Sequence, residues 1–165
     1  MITFKEAKEE DISLIQKLAD KSWKSAYQNI LSADQITYMV TEMYSHYEIS
    51  WQILSPNYLY YIILNDEIGA GFMGFELHYE EMTTKLHRIY LLEEFKGKGI
   101  GKKALDFLKT QVRENKDHRI ILNVNKNNPA KSVYESQGFQ VYDEQIFDIG
   151  NGFVMDDFLM ELHLV

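Results

Sequence analysis

The sequence predicts an α+β fold of the sandwich type, a mixed and mostly antiparallel sheet of about seven strands with helices on both faces. Three observations carry this. Strand-like segments outnumber helical ones and cluster as hairpins in the middle and at the end of the chain. The helical segments show apolar residues at spacings of three and four. The two kinds alternate in the order β, α, α, β-β-β, α, β, α, β-β, which places helices on either side of one sheet.

Ile2 to Ala7 reads as the first strand, and Asp11 opens a helix whose inward face is Ile12, Ile15, Leu18, Ala19 and Trp23. Ser32 and Gln35 form a capping-box pattern that starts a second helix carrying Ile36, Met39, Val40 and Met43. Helical periodicity resumes between Tyr44 and Leu54. Tyr58 to Leu64 and Ile68 to Leu77, joined at Asn65-Asp66-Glu67, read as a hairpin, and Lys85 to Leu92 as its third strand. An amphipathic helix follows, with Ile100, Ala104, Leu105, Leu108 and Val112 inward and Lys102, Lys103, Asp106, Lys109 and Arg113 toward water. Arg119 to Val124 is a short apolar strand. Pro129 suits the first turn of the next helix, and Gly138 its left-handed end. Phe139 to Ile149 and Phe153 to Val165 close the chain as two strands around Gly150-Asn151-Gly152.

At 165 residues, 45% hydrophobic and 13% aromatic, residues 1–165 are expected to form one domain with a sizeable core. The formal charge is −8, which argues against a nucleic-acid partner, since such binding needs a broad basic surface. With no cysteine, a disulfide framework, a thiolate metal site and a cysteine nucleophile are excluded. The five histidines lie scattered, so no metal is expected. The charged first residues are unlike a signal peptide, and no apolar run reaches the roughly 20 residues a membrane span needs. A soluble cytoplasmic protein is the expectation.

The chemistry concentrates in one octet. Lys96-Gly97-Lys98-Gly99-Ile100-Gly101-Lys102-Lys103 lies between a strand and a helix and holds four lysines and no acid. The rest of the chain has 13 basic against 25 acidic residues, so a +4 spot sits on a −12 body. Glycines let successive backbone N–H groups converge on one anion, and the helix start adds free donors and a favourable dipole. The spacing fails a Walker loop, because Lys102, five residues after Gly97, stands where the second glycine is required, and Lys103 follows it. It fails a dinucleotide fingerprint too, since the loop reads G-x-G-x-G after antiparallel strands.

The stretch Leu91-Leu92-Glu93-Glu94-Phe95-Lys96-Gly97-Lys98-Gly99-Ile100-Gly101-Lys102 resembles motif A of the GNAT acetyltransferases, whose Arg/Gln-x-x-Gly-x-Gly/Ala loop binds the pyrophosphate of acetyl-CoA. Lys96 stands at the Arg/Gln position, which keeps the charge and loses a planar donor. Downstream, Asn127-Asn128-Pro129-Ala130-Lys131-Ser132-Val133-Tyr134-Glu135-Ser136-Gln137-Gly138-Phe139 is similar to the family's Asn-x-x-Ala-x-x-x-Tyr-x-x-x-Gly-Phe motif. The resemblance is strong from Tyr58 onward, and the N-terminal helices match in kind only.

The resemblance implies a GNAT fold and direct acetyl transfer from acetyl-CoA to a primary amine, without a covalent enzyme intermediate. By position it makes Tyr134 the general acid toward the CoA sulfur and gives Asn127 a cofactor contact. It also sets the Leu91 N–H toward the thioester carbonyl, beside Leu92. His87, on the preceding strand, resembles a proposed catalytic histidine of the arylalkylamine N-acetyltransferases; alternation groups it with Lys85, Ile89 and Leu91. Glu76 and Glu81 are further candidates for the base. Trp23 and Tyr27, on the first helix, are candidates for the acceptor pocket. The acid-rich final strands and these aromatics suit a small cationic amine, and the layout including Arg88-Ile89-Tyr90 loosely resembles bacterial polyamine (spermidine/spermine) N-acetyltransferases. An amino acid, an aminoglycoside or a protein N-terminus remains an alternative acceptor, and a CoA-binding regulatory module without transfer an alternative function. The partner is thus a small molecule, and the chain a monomer or homodimer.

Overall fold

In a computed structural model, which describes residues 1–164, the elements follow the predicted order, and the periodicity between Tyr44 and Leu54 forms a helix of its own. They are β1 (Ile2–Glu6), α1 (Ile12–Tyr27), α2 (Ala33–Met43), α3 (His46–Leu54), β2 (Tyr58–Asn65), β3 (Ile68–Glu80), β4 (Thr83–Leu91), α4 (Ile100–Glu114), β5 (Arg119–Asn125), α5 (Ala130–Ser136), β6 (Gln140–Gly150) and β7 (Phe153–His163). Val165, assigned above to the last strand, lies outside the described residues.

The seven strands form one sheet in the order β1-β2-β3-β4-β5-β7-β6. Every neighbouring pair is antiparallel except β4 and β5, which run parallel because α4 carries the chain across between them. Local chemistry explains the joints. Asp66 and Glu67 both adopt positive φ, the mirror-image turn that matches strand twist in a two-residue hairpin. Ser32 and Ser45 cap α2 and α3 by accepting the N–H of Gln35 and Glu48, each at 3.1 Å. The Ser32–Gln35 box is only half formed, because the Gln35 side chain donates to the Val154 carbonyl at 2.8 Å instead and ties α2 to β7.

Two cores flank the sheet. On one face α1, α2 and α3 bury Ile15, Trp23, Ile36, Ile49, Tyr60 and Phe72. On the other, α4 buries the predicted stripe Ile100, Ala104, Leu105, Leu108 and Val112 against Phe75, Leu122 and Met160. Burying each large side chain fully contributes roughly 1.5–3 kcal/mol.

One irregularity positions everything that follows. On β4, Arg88 pairs with Gly74 and Leu86 with Phe75, so His87 is an extra residue, a β-bulge. The bulge breaks the alternation that grouped His87 with Ile89 and Leu91. Leu86, Ile89 and Leu91 pack toward α4, whereas the His87 ring stacks on Tyr58 at 5.1 Å, on the opposite face. Bulges increase local twist, and β4 leaves β5 at this point: their pairing runs only from Thr83–Arg119 to Leu86–Leu122.

Candidate active site

Where β4 and β5 diverge, the sheet opens into a cleft of about 540 Å³. One wall is β4 from Leu86 to Leu91 and the other is β5 from Leu122 to Val124 with α5. One end is closed by the glycine loop and the other approaches Tyr27 on α1.

At the loop end, Gly97 and Gly99 have φ of +75° and +77°, and a Cβ on either would meet nothing within 4 Å. Glycine is therefore required there by backbone conformation, not by crowding. Gly99 caps α4, and the Lys103 N–H is the first to find an intrahelical acceptor, on Gly99 at 3.2 Å. The N–H groups of Ile100, Gly101 and Lys102 are left as the free donors of the first turn, with the helix dipole behind them. Lys96, Gly97, Gly99, Ile100, Gly101 and Lys102 all line the cleft. Lys98 does not; its ammonium lies over the Phe95 ring at 5.6 Å. The cradle fits a pyrophosphate: it offers free N–H groups, open space at Gly97, Gly99 and Gly101, and two lysines, of which Lys96 pairs with Glu93 at 3.2 Å.

In the middle, the Leu92 N–H donates to the Ala70 carbonyl at 2.8 Å, so by strand alternation the Leu91 N–H points to the other side. There β5 has already departed, and that donor faces the cleft. Gly71 lets β3 come close enough to hold this register, since a Cβ would meet the Tyr90 carbonyl oxygen at 2.2 Å. The Leu92 side chain belongs to the core under α1 and not to the cleft wall.

Tyr134, on α5, lines the cleft opposite Leu91 and packs edge-on against Phe139. Burial pushes its hydroxyl well above the usual phenol range, so it holds its proton throughout the physiological range. His87 lines the β4 wall, and its Nε2 lies 2.9 Å from Glu76 Oε1. Burial lowers its pKa to about 4, a fall the Glu76 hydrogen bond opposes and the Lys85 and Arg88 charges reinforce. The ring is therefore neutral at pH 7. Donating Nε2–H to Glu76 leaves the Nδ1 lone pair as its acceptor.

The remaining expected residues divide. Tyr27 is on the cleft, its hydroxyl 3.0 Å from that of Tyr90 and accepting from Asn128 Nδ2 at 3.3 Å. Trp23, one turn earlier, is 1% exposed in the core, where its indole N–H donates to Tyr44 Oη at 3.0 Å; it has no place in an acceptor pocket. Asn127 is off the cleft too: its N–H closes an Asn125 turn, and the neighbouring Asn128 takes the wall position. Glu81 is exposed in the β3–β4 turn.

Two charged groups were not among the expected site residues. Arg88 is on the cleft wall and Asp157, on β7, is 7% exposed with Oδ1 unpartnered. Burial and the neighbouring Asp156 raise Asp157 to about 6, although Lys85 works against this. Among the described residues no group of three His, Asp or Glu side chains is placed to hold a metal ion, and no helix is long and apolar enough to cross a membrane.

Comparison with known proteins agrees with this geometry. The sequence model of the Acetyltransferase (GNAT) family matches residues 21–139. An uncharacterized N-acetyltransferase of Bacillus subtilis (strain 168) is 34% identical over 110 residues, 64% of this chain and 61% of that one. The spermidine N(1)-acetyltransferase of Thermoplasma acidophilum is 29% identical over 150 residues, covering 89% of this chain and 91% of the relative. Among solved structures, the PaiA N-acetyltransferase of Thermoplasma acidophilum in complex with coenzyme A superposes with a TM-score of 0.86 at 26% identity, covering 99% of both chains.

Proposed function

The chain belongs to the GNAT acetyltransferase family and is an N-acetyltransferase with acetyl-CoA as co-substrate; from that premise we propose how its cleft works and what it acetylates. The observation that carries the reading is the divergence of β4 from β5, which leaves one strand N–H free between a phosphate cradle and a protonated tyrosine.

Bound acetyl-CoA supplies an activated acetyl thioester. The glycine loop and the first turn of α4 hold its pyrophosphate, with Lys96 and Lys102 neutralising charge. The Leu91 N–H donates to the thioester oxygen as negative charge develops there, as a preorganised donor. Tyr134 delivers its proton to the departing sulfur. A free aliphatic amine is scarce at pH 7, since its ammonium has a pKa of about 10.4. His87, neutral and hydrogen-bonded to Glu76, accepts the proton at Nδ1 through water. A weak base suffices, because the nitrogen becomes far more acidic once it has bonded to the acetyl carbon. Tyr27 borders the acceptor end.

Two classes of acceptor are proposed. A polyamine is supported by the spermidine acetyltransferase relative and by the overall charge of −8, which attracts a polycation. An amine carrying its own carboxylate is supported by the cleft lining itself, which includes Arg88 and no Asp or Glu. We place the activity in the cytoplasm, acting on free small molecules. The test is CoA release from acetyl-CoA against a panel of polyamines, amino acids and aminoglycosides, followed with a thiol reagent. Amine-dependent thiol is expected, and CoA binding without any such release would overturn the reading.

A further inference from the structure

Arg88 is a half-buried cation without a counter-ion. It makes no ion pair among the described residues, and its Nε and Nη1 are buried with no hydrogen-bond partner. Its guanidinium carbon lies 5.2 Å from the Tyr44 ring centroid and 5.9 Å from that of Tyr60. The buried hydroxyls of Tyr58 and Tyr60 lie beside the guanidinium without forming a well-aligned hydrogen bond to it. Gly74 makes the arrangement possible, because a Cβ there would meet Tyr58 Oη at 2.9 Å and Arg88 Cγ at 3.2 Å.

Rings and neutral hydroxyls stabilise a desolvated guanidinium in part, but they leave its charge uncompensated. An uncompensated charge in such a place is destabilising unless an anion completes it. Arg88 forms part of the cleft wall, so an anion in the acceptor half can reach it. Nothing acidic lines the cleft to compete, and Glu76, on the neighbouring strand, is committed to His87. Along β4 Arg88 stands three residues, or about 10 Å, from the Leu91 donor. That is the scale of a compact amino acid met by an arginine arm. A polyamine would instead bring further ammonium groups toward an uncompensated cation.

We infer that Arg88 anchors a carboxylate subsite in the acceptor half of the cleft, so that the acceptor is a small amino acid whose carboxylate pairs with the guanidinium while its amine faces the thioester. This rests on the acetyl-transfer reading above and narrows its acceptor to the second class.

The experiment compares amino acids with their carboxamides, matched in shape and differing in charge, by CoA release with the wild-type protein and with Arg88→Met and Arg88→Lys. For the best acceptor, the wild type favours the acid over the amide by about 10- to 100-fold in kcat/KM, the worth of charge-assisted hydrogen bonds. Arg88→Met, close in volume, reduces that ratio to within about threefold, and Arg88→Lys keeps part of it. Calorimetric titration of the N-acetylated acids and amides into the CoA complex reads the subsite without turnover, and the same preference and the same loss are expected. A wild-type ratio near one, a preference for spermidine over every amino acid, or a ratio unchanged in Arg88→Met overturns the subsite. Absence of transfer to any amine, with Arg88-dependent binding of the acids intact, would instead sustain the subsite and overturn the acetyl-transfer reading.

Discussion

Replacing Asp157 by Asn is predicted to stabilise the protein at neutral pH. The carboxylate lies across the sheet from Asn125, is 7% exposed, and has one oxygen with no donor. Its pKa stands near 6 in the folded chain against 3.8 in its ordinary state. Between those values the folded protein holds a proton the unfolded chain has released, so stability falls as pH rises through this window. The distance between them corresponds to an upper bound of about 3 kcal/mol at pH 7, and side-chain relaxation reduces this to roughly 1–2 kcal/mol. The amide keeps the shape and removes the charge. For a chain of this length the gain appears as a rise of about 3–6 °C in Tm at pH 7. Thermal melts of both proteins from pH 3.5 to 7.5 provide the assay. The gain should shrink toward zero below pH 4, where both states of the wild type are protonated. A variant that is no more stable at pH 7, or whose advantage persists at pH 3.5, would show that Asp157 is not a strained buried anion.

Removing the Tyr134 hydroxyl with Tyr134→Phe should lower kcat by about 10²- to 10⁴-fold, the usual range for a positioned acid, while calorimetry finds acetyl-CoA affinity nearly unchanged. Equal turnover would remove Tyr134 from the mechanism. For His87, burial holds the ring neutral well below its ordinary range, so the acid limb of the wild-type pH–rate profile should fall near pH 4 and show no inflection near 6.5. His87→Ala should lower kcat and abolish that limb, and an unmoved profile would assign the base elsewhere.

The glycine loop was legible because its chemistry is local. Positive φ at Gly97 and Gly99, and a helix starting at Ile100, follow from a short run of residues and need no distant partner. The stripe on α4 was legible for the same reason, a 3.6-residue period being visible in the sequence alone. The bulge at His87 was not, since it exists only through pairing of β4 with Gly74 and Phe75 on β3. With it went the face on which His87 lies. Trp23 and Tyr27 sit one turn apart on the same buried face of α1, and periodicity cannot tell which reaches a cleft and which fills a core. Arg88 escaped because arginine on a strand ordinarily reaches water. Its burial depends on tyrosines from α2's end and β2, together with the space left by Gly74.

Direct transfer is the central claim, and a quenched single turnover tests it most closely. Enzyme in excess over acetyl-CoA is mixed with the accepted amine, stopped within one turnover, and both protein and amine are weighed by mass spectrometry. One acetyl group should appear on the amine for each CoA released, with the protein mass unchanged at every time point. Acetyl found first on the protein and only later on the amine, or CoA released with no acetylated amine, would contradict transfer in the cleft between β4 and β5.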